Sequence, residues 1–389
     1  MSDFLVNTTN TGRQFQPSVE SFSGQQYQAV WSDGSDASVK AQKLSTAGAK
    51  LGSEFRIDAP VVPNGNTNRQ WPALEAAGFG SFAAWIEQPF NNPPPQPRIV
   101  LQRFSGGNPA GAPVQVNSAD IDTAHRPSVT RMVDGGCVVV WAGARADQRI
   151  RAQRFNAEGV KKGPEIAVNT AEGFHVKPAV TVLADGDFVV AWTVDPSAIG
   201  GGRLTFRVFA FDGSPQGGEV LPNIGGFQGV NAITLLDNGR FVVAHIEAIQ
   251  PSPLDVSQTT IEASVLSPDG GGSVITSVIA GSPRDFNRTA PALTPLPGGR
   301  FLLAWVEKSA VTFATVPHVM AMLCSDSELS LGPPVQVSSG TAKNRFHTCA
   351  AAAFGSGPEG VLLAWSDQDA NGGVTVRGRT FDVVSNQLT

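Results

Sequence analysis

One pattern recurs along the chain: a turn containing Gly, then an unbroken apolar run ending in an aromatic residue. It reads "DGDFVVAW" at 185–192, "DGGCVVVW" ending at Trp141, "PGGRFLLAW" ending at Trp305 and "PEGVLLAW" ending at Trp365. The runs are too short for helices. They fit strands buried on both faces, and no window sustains a helical period. The terminal aromatic falls at Trp31, Trp85, Trp141, Trp192, His245, Trp305 and Trp365, at intervals of 51 to 60 residues. Upstream of each lies a second landmark: Pro17-Ser18-Val19, Pro72-Ala73-Leu74, Pro127-Ser128-Val129, Pro178-Ala179-Val180, Asn231-Ala232-Ile233, Pro291-Ala292-Leu293 and Cys349-Ala350-Ala351. Downstream come a third strand-like segment, such as "IRAQRFNAEG", and a short fourth one, such as "VQVNS" or "IAVNT".

Seven copies of about 50 residues, each with four strands, predict an all-β fold: a seven-bladed β-propeller of four-stranded antiparallel blades. The expected blades span roughly 8–58, 59–117, 118–169, 170–223, 224–280, 281–338 and 339–389, in a single domain over 1–389. The last copy lacks a fourth strand, while "FLVN" near the N-terminus matches that motif. Residues 3–7 are therefore expected to complete blade seven and close the ring, which leaves no open sheet edge there.

The segments "VNT", "PAVTVLADGDFVVAW" and "IRAQRFNAEG" resemble repeats of large secreted bacterial RTX-type proteins, and also the propeller domain of cyanobacterial enzymes that build cyclophanes by alkylation. The resemblance spans essentially the whole chain. It implies the propeller fold, but the glycine-rich calcium nonapeptides of the RTX proteins are missing. No catalytic residue of the alkylating enzymes maps onto this sequence.

Composition narrows the function classes. A net charge of −5 does not suit a nucleic-acid binder. No apolar stretch reaches the roughly 20 residues of a membrane helix, and "MSDFLVNTTNTG" lacks the basic and apolar regions of a signal peptide. Either a cytoplasmic site or export by a signal-less route fits. Cys137, Cys324 and Cys349 show no metal-ligand spacing and read as buried thiols. No hydrolase elbow, phosphate loop, dinucleotide fingerprint or zinc-protease motif occurs.

In a repeat fold, shared features are read as structural and departures from them as candidates for function. An acid follows the aromatic marker by two residues in five blades: Asp33, Glu87, Glu247, Glu307 and Asp367. The loops leading into the first strands carry Arg69, Arg126, Lys177, Arg288 and Arg345, so acids and bases should meet on one face of the ring. Two readings stand: a ring of inter-blade ion pairs, or a polar mouth for a ligand. His125, His175 and His347 fall in the same loops, where a proton-transfer role or a three-His metal site competes with ordinary loop histidines. His245 is expected to fill the aromatic slot.

Long connections at 87–98, 194–203, 247–258 and 307–318 should wall the same face. Trp71, Phe90, Phe174 and Phe227 add aromatic surface there. No cofactor is required; Asp367, Asp369 and Asn371 form a weak calcium-like spacing that reads better as a turn. The expected function is binding of a glycan or polar small molecule, lectin-like, at the channel mouth. The ligand set is Arg69, Trp71, Glu87, His125, Arg126, His175, Lys177, Glu247, Arg288, Glu307, Arg345 and His347. An enzyme of natural-product tailoring or lyase type at that face, and a structural subunit of an extracellular assembly, are the alternatives.

Overall fold

The computed structural model is a seven-bladed propeller. It describes the chain except residues 1–2, 10, 23–25, 59–66, 78–79, 90–95, 196–201, 225–226, 250–257, 270–273, 280–285, 310–315, 328–329, 341–343, 354–359, 384–386 and 389. Blade four shows the plan: Phe174–Val182, Phe188–Asp195, Arg203–Phe209 and Pro215–Val220 pair in sequence order as an antiparallel sheet. The turn between its first two strands is Asp185-Gly186, with Gly186 at φ +95°, a conformation that glycine adopts without a Cβ clash.

The marker aromatics hold the ring together. Trp31, Trp85, Trp192, Trp305 and Trp365 are fully buried and Trp141 nearly so. Each packs backwards onto the preceding blade. Trp85 joins Val30, Val39 and Ala41 of blade one; Trp192 joins Val138 and Val140 of blade three; Trp365 joins Leu302 and Ala304 of blade six. The hydrophobic interior is thus seven seam clusters, one per blade contact, and truncating one such Trp should cost about 3–5 kcal/mol. In blade five His245 occupies the slot, fully buried, with Nε2 3.2 Å from Ser264 Oγ. Cys137 and Cys324 are buried free thiols.

The asparagine of the "VN" motif also has a structural reason. Asn117 Oδ1 accepts the Ile99 backbone N–H at 2.7 Å, and Asn169 Oδ1 accepts that of Ile150 at 2.7 Å. Asp58 and Ser338 do the same for Val39 and Val319. Each satisfies a buried donor at the start of its blade's third strand. In blade seven the group comes from the other end of the chain: Asn7 Oδ1 accepts the Val376 N–H at 2.9 Å. Phe4 and Leu5 pair antiparallel with Gly378 and Arg377, so the N-terminal strand completes the last blade. Among the described residues no helix is long and apolar enough to cross a membrane.

Two outcomes follow. Asn7→Ala orphans the buried Val376 N–H and should lower the unfolding free energy by about 1–3 kcal/mol in denaturant titration. Burial pushes the His245 imidazole down to about 4, below its ordinary value near 6.5. As pH falls from about 6.5 towards about 4, the unfolded chain takes up a proton that the folded chain refuses, so this residue's contribution to stability is lost across that window. The His245→Phe protein should lose less thermal stability than the parent between pH 7 and pH 4. An equal loss in both would contradict this origin.

Candidate functional site

The residues expected in loops lie largely in strands. The innermost strand of blade two runs Thr67–Ala77 and that of blade four Phe174–Val182, straight through the proline landmark. Arg69, Trp71, His175 and Lys177 are therefore strand residues, as are Arg288 in Phe286–Leu296 and Arg345 in Asn344–Ala353. The reason is a bulge. Pairing with the second strand skips two residues between Gln70 and Ala73, between Val176 and Ala179, and between Thr289 and Ala292. The proline falls in the gap, where its missing N–H breaks no ladder bond. The residue before it takes a left-handed conformation: Gln16 φ 58°, Trp71 φ 59°, Lys177 φ 53° and Ala290 φ 51°. For a non-glycine residue before proline this conformation costs on the order of 1–3 kcal/mol, so the surrounding blade must impose it.

At three marker positions the acid meets an arginine within its own blade, as a cross-strand partner, and not as a pair between blades; Asp33 of blade one meets Lys40 instead. Arg69 stands opposite Glu87, Arg288 opposite Glu307 and Arg345 opposite Asp367. Arg69 Nε lies 2.8 Å from Glu87 and 3.0 Å from Asp58, which belongs to the end of blade one. Its Nη1 donates to the Ala37 carbonyl. Burial resists ionisation of Glu87, yet Arg69 and Arg98 together hold its carboxyl below the usual range. Trp85 Nε1 donates to Glu87 at 3.3 Å, and Trp305 Nε1 to Glu307 at 3.4 Å, a contact seen where the acid is glutamate. Arg288 is 2.8 Å from Glu307. Arg345 is 3.1 Å from Asp367 and also donates to the carbonyls of Pro317 and Ser339. These three arginines are at most 6% exposed. They tie each blade's first two strands to the preceding blade.

Blade four lacks the acid, and His175 takes over. It is buried, accepts the Trp192 indole N–H at Nδ1 at 2.9 Å, and donates from Nε2 to the Ala171 carbonyl at 3.1 Å. Burial keeps its pKa low. Both nitrogens are thus engaged inside the fold. The side chains of Glu247, His347 and Phe227 lie outside the described residues, as do Phe90 and the central parts of the four long connections. Asp367 faces two arginines, and Asp369 Oδ1 accepts the N–H groups of Asn371 and Gly373, closing a turn. Among the described residues no group of three His, Cys, Asp or Glu side chains could hold a metal ion.

What remains opens into the channel. A cavity of about 570 Å³ is lined by the innermost strands. Five residues of the expected set reach it: Trp71, His125, Arg126, Lys177 and Arg345. Trp71 and Lys177 sit at the strained bulge positions just described. His125 is held by Asp122, whose Oδ2 is 2.9 Å from Nδ1. Burial lowers the Lys177 pKa and brings the Arg126 guanidinium down to about 10, against the pull of Glu20.

Two lining residues were missed from sequence: Glu20 and Glu75. They stand three residues after Pro17 and Pro72. The same position holds Thr130, Thr181, Thr234 and Thr294 in blades three to six. The departure from threonine was the available signal. Burial drives the Glu20 carboxyl well above the usual range, and the charge of Glu75 adds to this. Burial raises Glu75 to about 7, although the Arg131 backbone N–H and side chain favour its charged form. The channel therefore joins two cations to two carboxyls whose ionisation burial opposes.

No family model matches the chain, and no curated protein matches it. Solved structures share the fold. A protein of unknown function from Dyadobacter fermentans is 12% identical, with 98% of this chain and 97% of that one covered and a TM-score of 0.58. A PL25 ulvan lyase bound to a GlcA–Rha3S saccharide is 10% identical, covers 96% and 94%, and has a TM-score of 0.55. The GH93 α-L-arabinofuranosidase of Fusarium graminearum is 9% identical, covers 99% of both chains and has a TM-score of 0.52. Neither an RTX-type protein nor a cyclophane-forming enzyme is among these neighbours.

Replacing Arg69 with Ala removes the cation that Glu87 and Asp58 share in a buried seam and leaves each with one arginine, Arg98 and Arg56. We expect Arg69→Ala to cost about 2–3 kcal/mol of stability, read by equilibrium unfolding. A change below about 1 kcal/mol would show that the pair behaves like a solvent-exposed one.

Proposed function

We propose that this propeller binds an anionic saccharide in its central channel. The observation that carries the reading is the company around the cavity: the half-buried Trp71 ring, with Arg126 and Lys177 on the next two blades. An aromatic face beside polar groups suits a sugar ring. Two cations inside low-dielectric walls favour a carboxylate or sulfate on it. Near pH 7 the Glu20 and Glu75 carboxyls, raised by burial, oppose such an anion less than ordinary glutamates would. The saccharide chemistry of the lyase and arabinofuranosidase neighbours is in keeping with this reading. We give Arg69, Glu87, Arg288 and Glu307 a supporting role, in keeping with their closed arginine–acid pairs, and recognition to Trp71, His125, Arg126 and Lys177. Among the alternatives, natural-product alkylation finds no support in the neighbouring structures. An assembly subunit would not need the charged cavity.

The test is titration calorimetry with uronate-containing oligosaccharides and their neutral counterparts. Arg126→Ala and Lys177→Ala should each weaken binding of the anionic oligosaccharide about tenfold or more, with the wild-type affinity falling as salt rises. Equal affinity for neutral and anionic oligosaccharides would remove the case for an anion site.

A further inference from the structure

The binding reading leaves two channel carboxyls without a task. Glu20 and Glu75 occupy equivalent places on the innermost strands of adjacent blades, and both line the cavity that holds Trp71, Arg126 and Lys177. The fold does not require glutamate there. Threonine fills the position in four other blades, 1% to 9% exposed. Thr130, Thr181, Thr234 and Thr294 show that a small hydroxyl satisfies the backbone geometry. A buried carboxyl costs desolvation energy that a threonine avoids. With Arg126 and Arg131 beside them, the two carboxyls put ionisable groups on a stretch of channel wall where four other blades carry only a hydroxyl.

We infer that Glu20 and Glu75 are the acid and base of a glycoside-hydrolysing site, acting on a glycosidic bond of the anionic saccharide held by Arg126 and Lys177. The inference rests on the binding reading above and adds a reaction to it. In that reaction the Glu75 carboxylate takes a proton from water as the water oxygen bonds to the anomeric carbon. The bond from that carbon to the leaving oxygen breaks, and the Glu20 carboxyl delivers its proton to that oxygen. One water is consumed, nothing is oxidised or reduced, and the two carboxyls re-equilibrate their proton through solvent. The division of labour follows the environment. Glu20 has burial and a like-charged neighbour against its ionised form, which suits the proton donor. Glu75 has the Arg131 N–H and side chain supporting its carboxylate. A pair of carboxyls pushed apart in this way is the usual means of running acid and base chemistry at one bond.

The experiment incubates the full-length protein with a panel of uronate-containing oligosaccharides and follows new reducing ends by chromatography and mass. Hydrolysis should add one water per cleavage. Glu20→Gln and Glu75→Gln should each lose 100-fold or more of the rate, while calorimetric affinity stays within about threefold. Glu20→Thr and Glu75→Thr, which install the residue of the other blades, should fold at least as stably as the parent and be equally inactive. Binding without cleavage by the parent overturns the hydrolytic inference and leaves the binding reading standing. So does cleavage that survives in both glutamine variants, or products carrying a double bond and no added water, the mark of elimination. Absence of binding to the whole panel overturns both.

Discussion

Everything in this molecule depends on closure of the ring. Seven sheets that are apolar on both faces bury that surface only if each has a neighbour on either side, and blades one and seven are neighbours only when the circle shuts. The chain achieves this by splitting one blade between its ends. Phe4 and Leu5 add to the edge formed by Val374–Asp382, and Asn7 gives blade seven the side-chain acceptor that blades one, two, three and six take from beyond their own fourth strands. Gly378 sits where the Phe4 ring and the Val6 methyl would leave a Cβ only 3.0–3.1 Å of room, so the sheet edge is shaped for that strand. Asp3 then accepts the N–H of Ser339, just past the end of blade six, and Glu54 of blade one accepts those of Thr8 and Thr9. The closing strand is thus held from both sides.

A closed ring makes a channel, and the bulge before each proline decides what faces it. Skipping two residues of pairing lets the innermost strand pass a proline without losing ladder bonds. It also places the preceding residue in a left-handed conformation that costs energy in every blade that uses it. The seam packing can absorb that cost because each Trp anchors the adjoining second strand against the blade before it. Rigidity at the seams is therefore what permits Trp71 and Lys177 to stand at strained positions on the channel wall, a preorganisation that a free loop would not supply.

The fold was legible because its signal is repeated. A turn, an apolar run and a tryptophan in register across copies carry the same physical message each time, and His245 could be placed in the slot by position alone. The supporting ring was half legible. The spacing of Glu87 from Trp85 and the presence of Arg69 pointed to a contact, but pairing within one blade depends on a register set by the bulge, and a bulge leaves no mark beyond the proline. His175 looked like a free loop residue because blade four lacks the acid; with no acid there, the imidazole is the group that accepts the Trp192 indole N–H. Glu20 and Glu75 escaped notice because attention went to scarce residue types and to loops. Their signal was a substitution inside the most regular element of the repeat.

That signal says how a symmetric scaffold acquires a directional site. If each blade offered the same side chain to the channel, a ligand would meet a ring of equivalent groups and could be held in any of seven orientations. Orientation requires that neighbouring blades differ. Here the differences are grouped: carboxyls on blades one and two, cations on blades three and four, and threonine at the Glu20 and Glu75 position from blade three to blade six. An axis runs from the carboxyl sector to the cation sector, and on the proposed reading it would turn an anionic saccharide before the ligand touched either wall. The arginine–acid pairs outside the channel do not disturb this axis, because each is neutralised within its own seam. Charge closed in the seams and charge left facing the channel is the division that would let one repeat hold the ring and, on the proposed reading, bind within it.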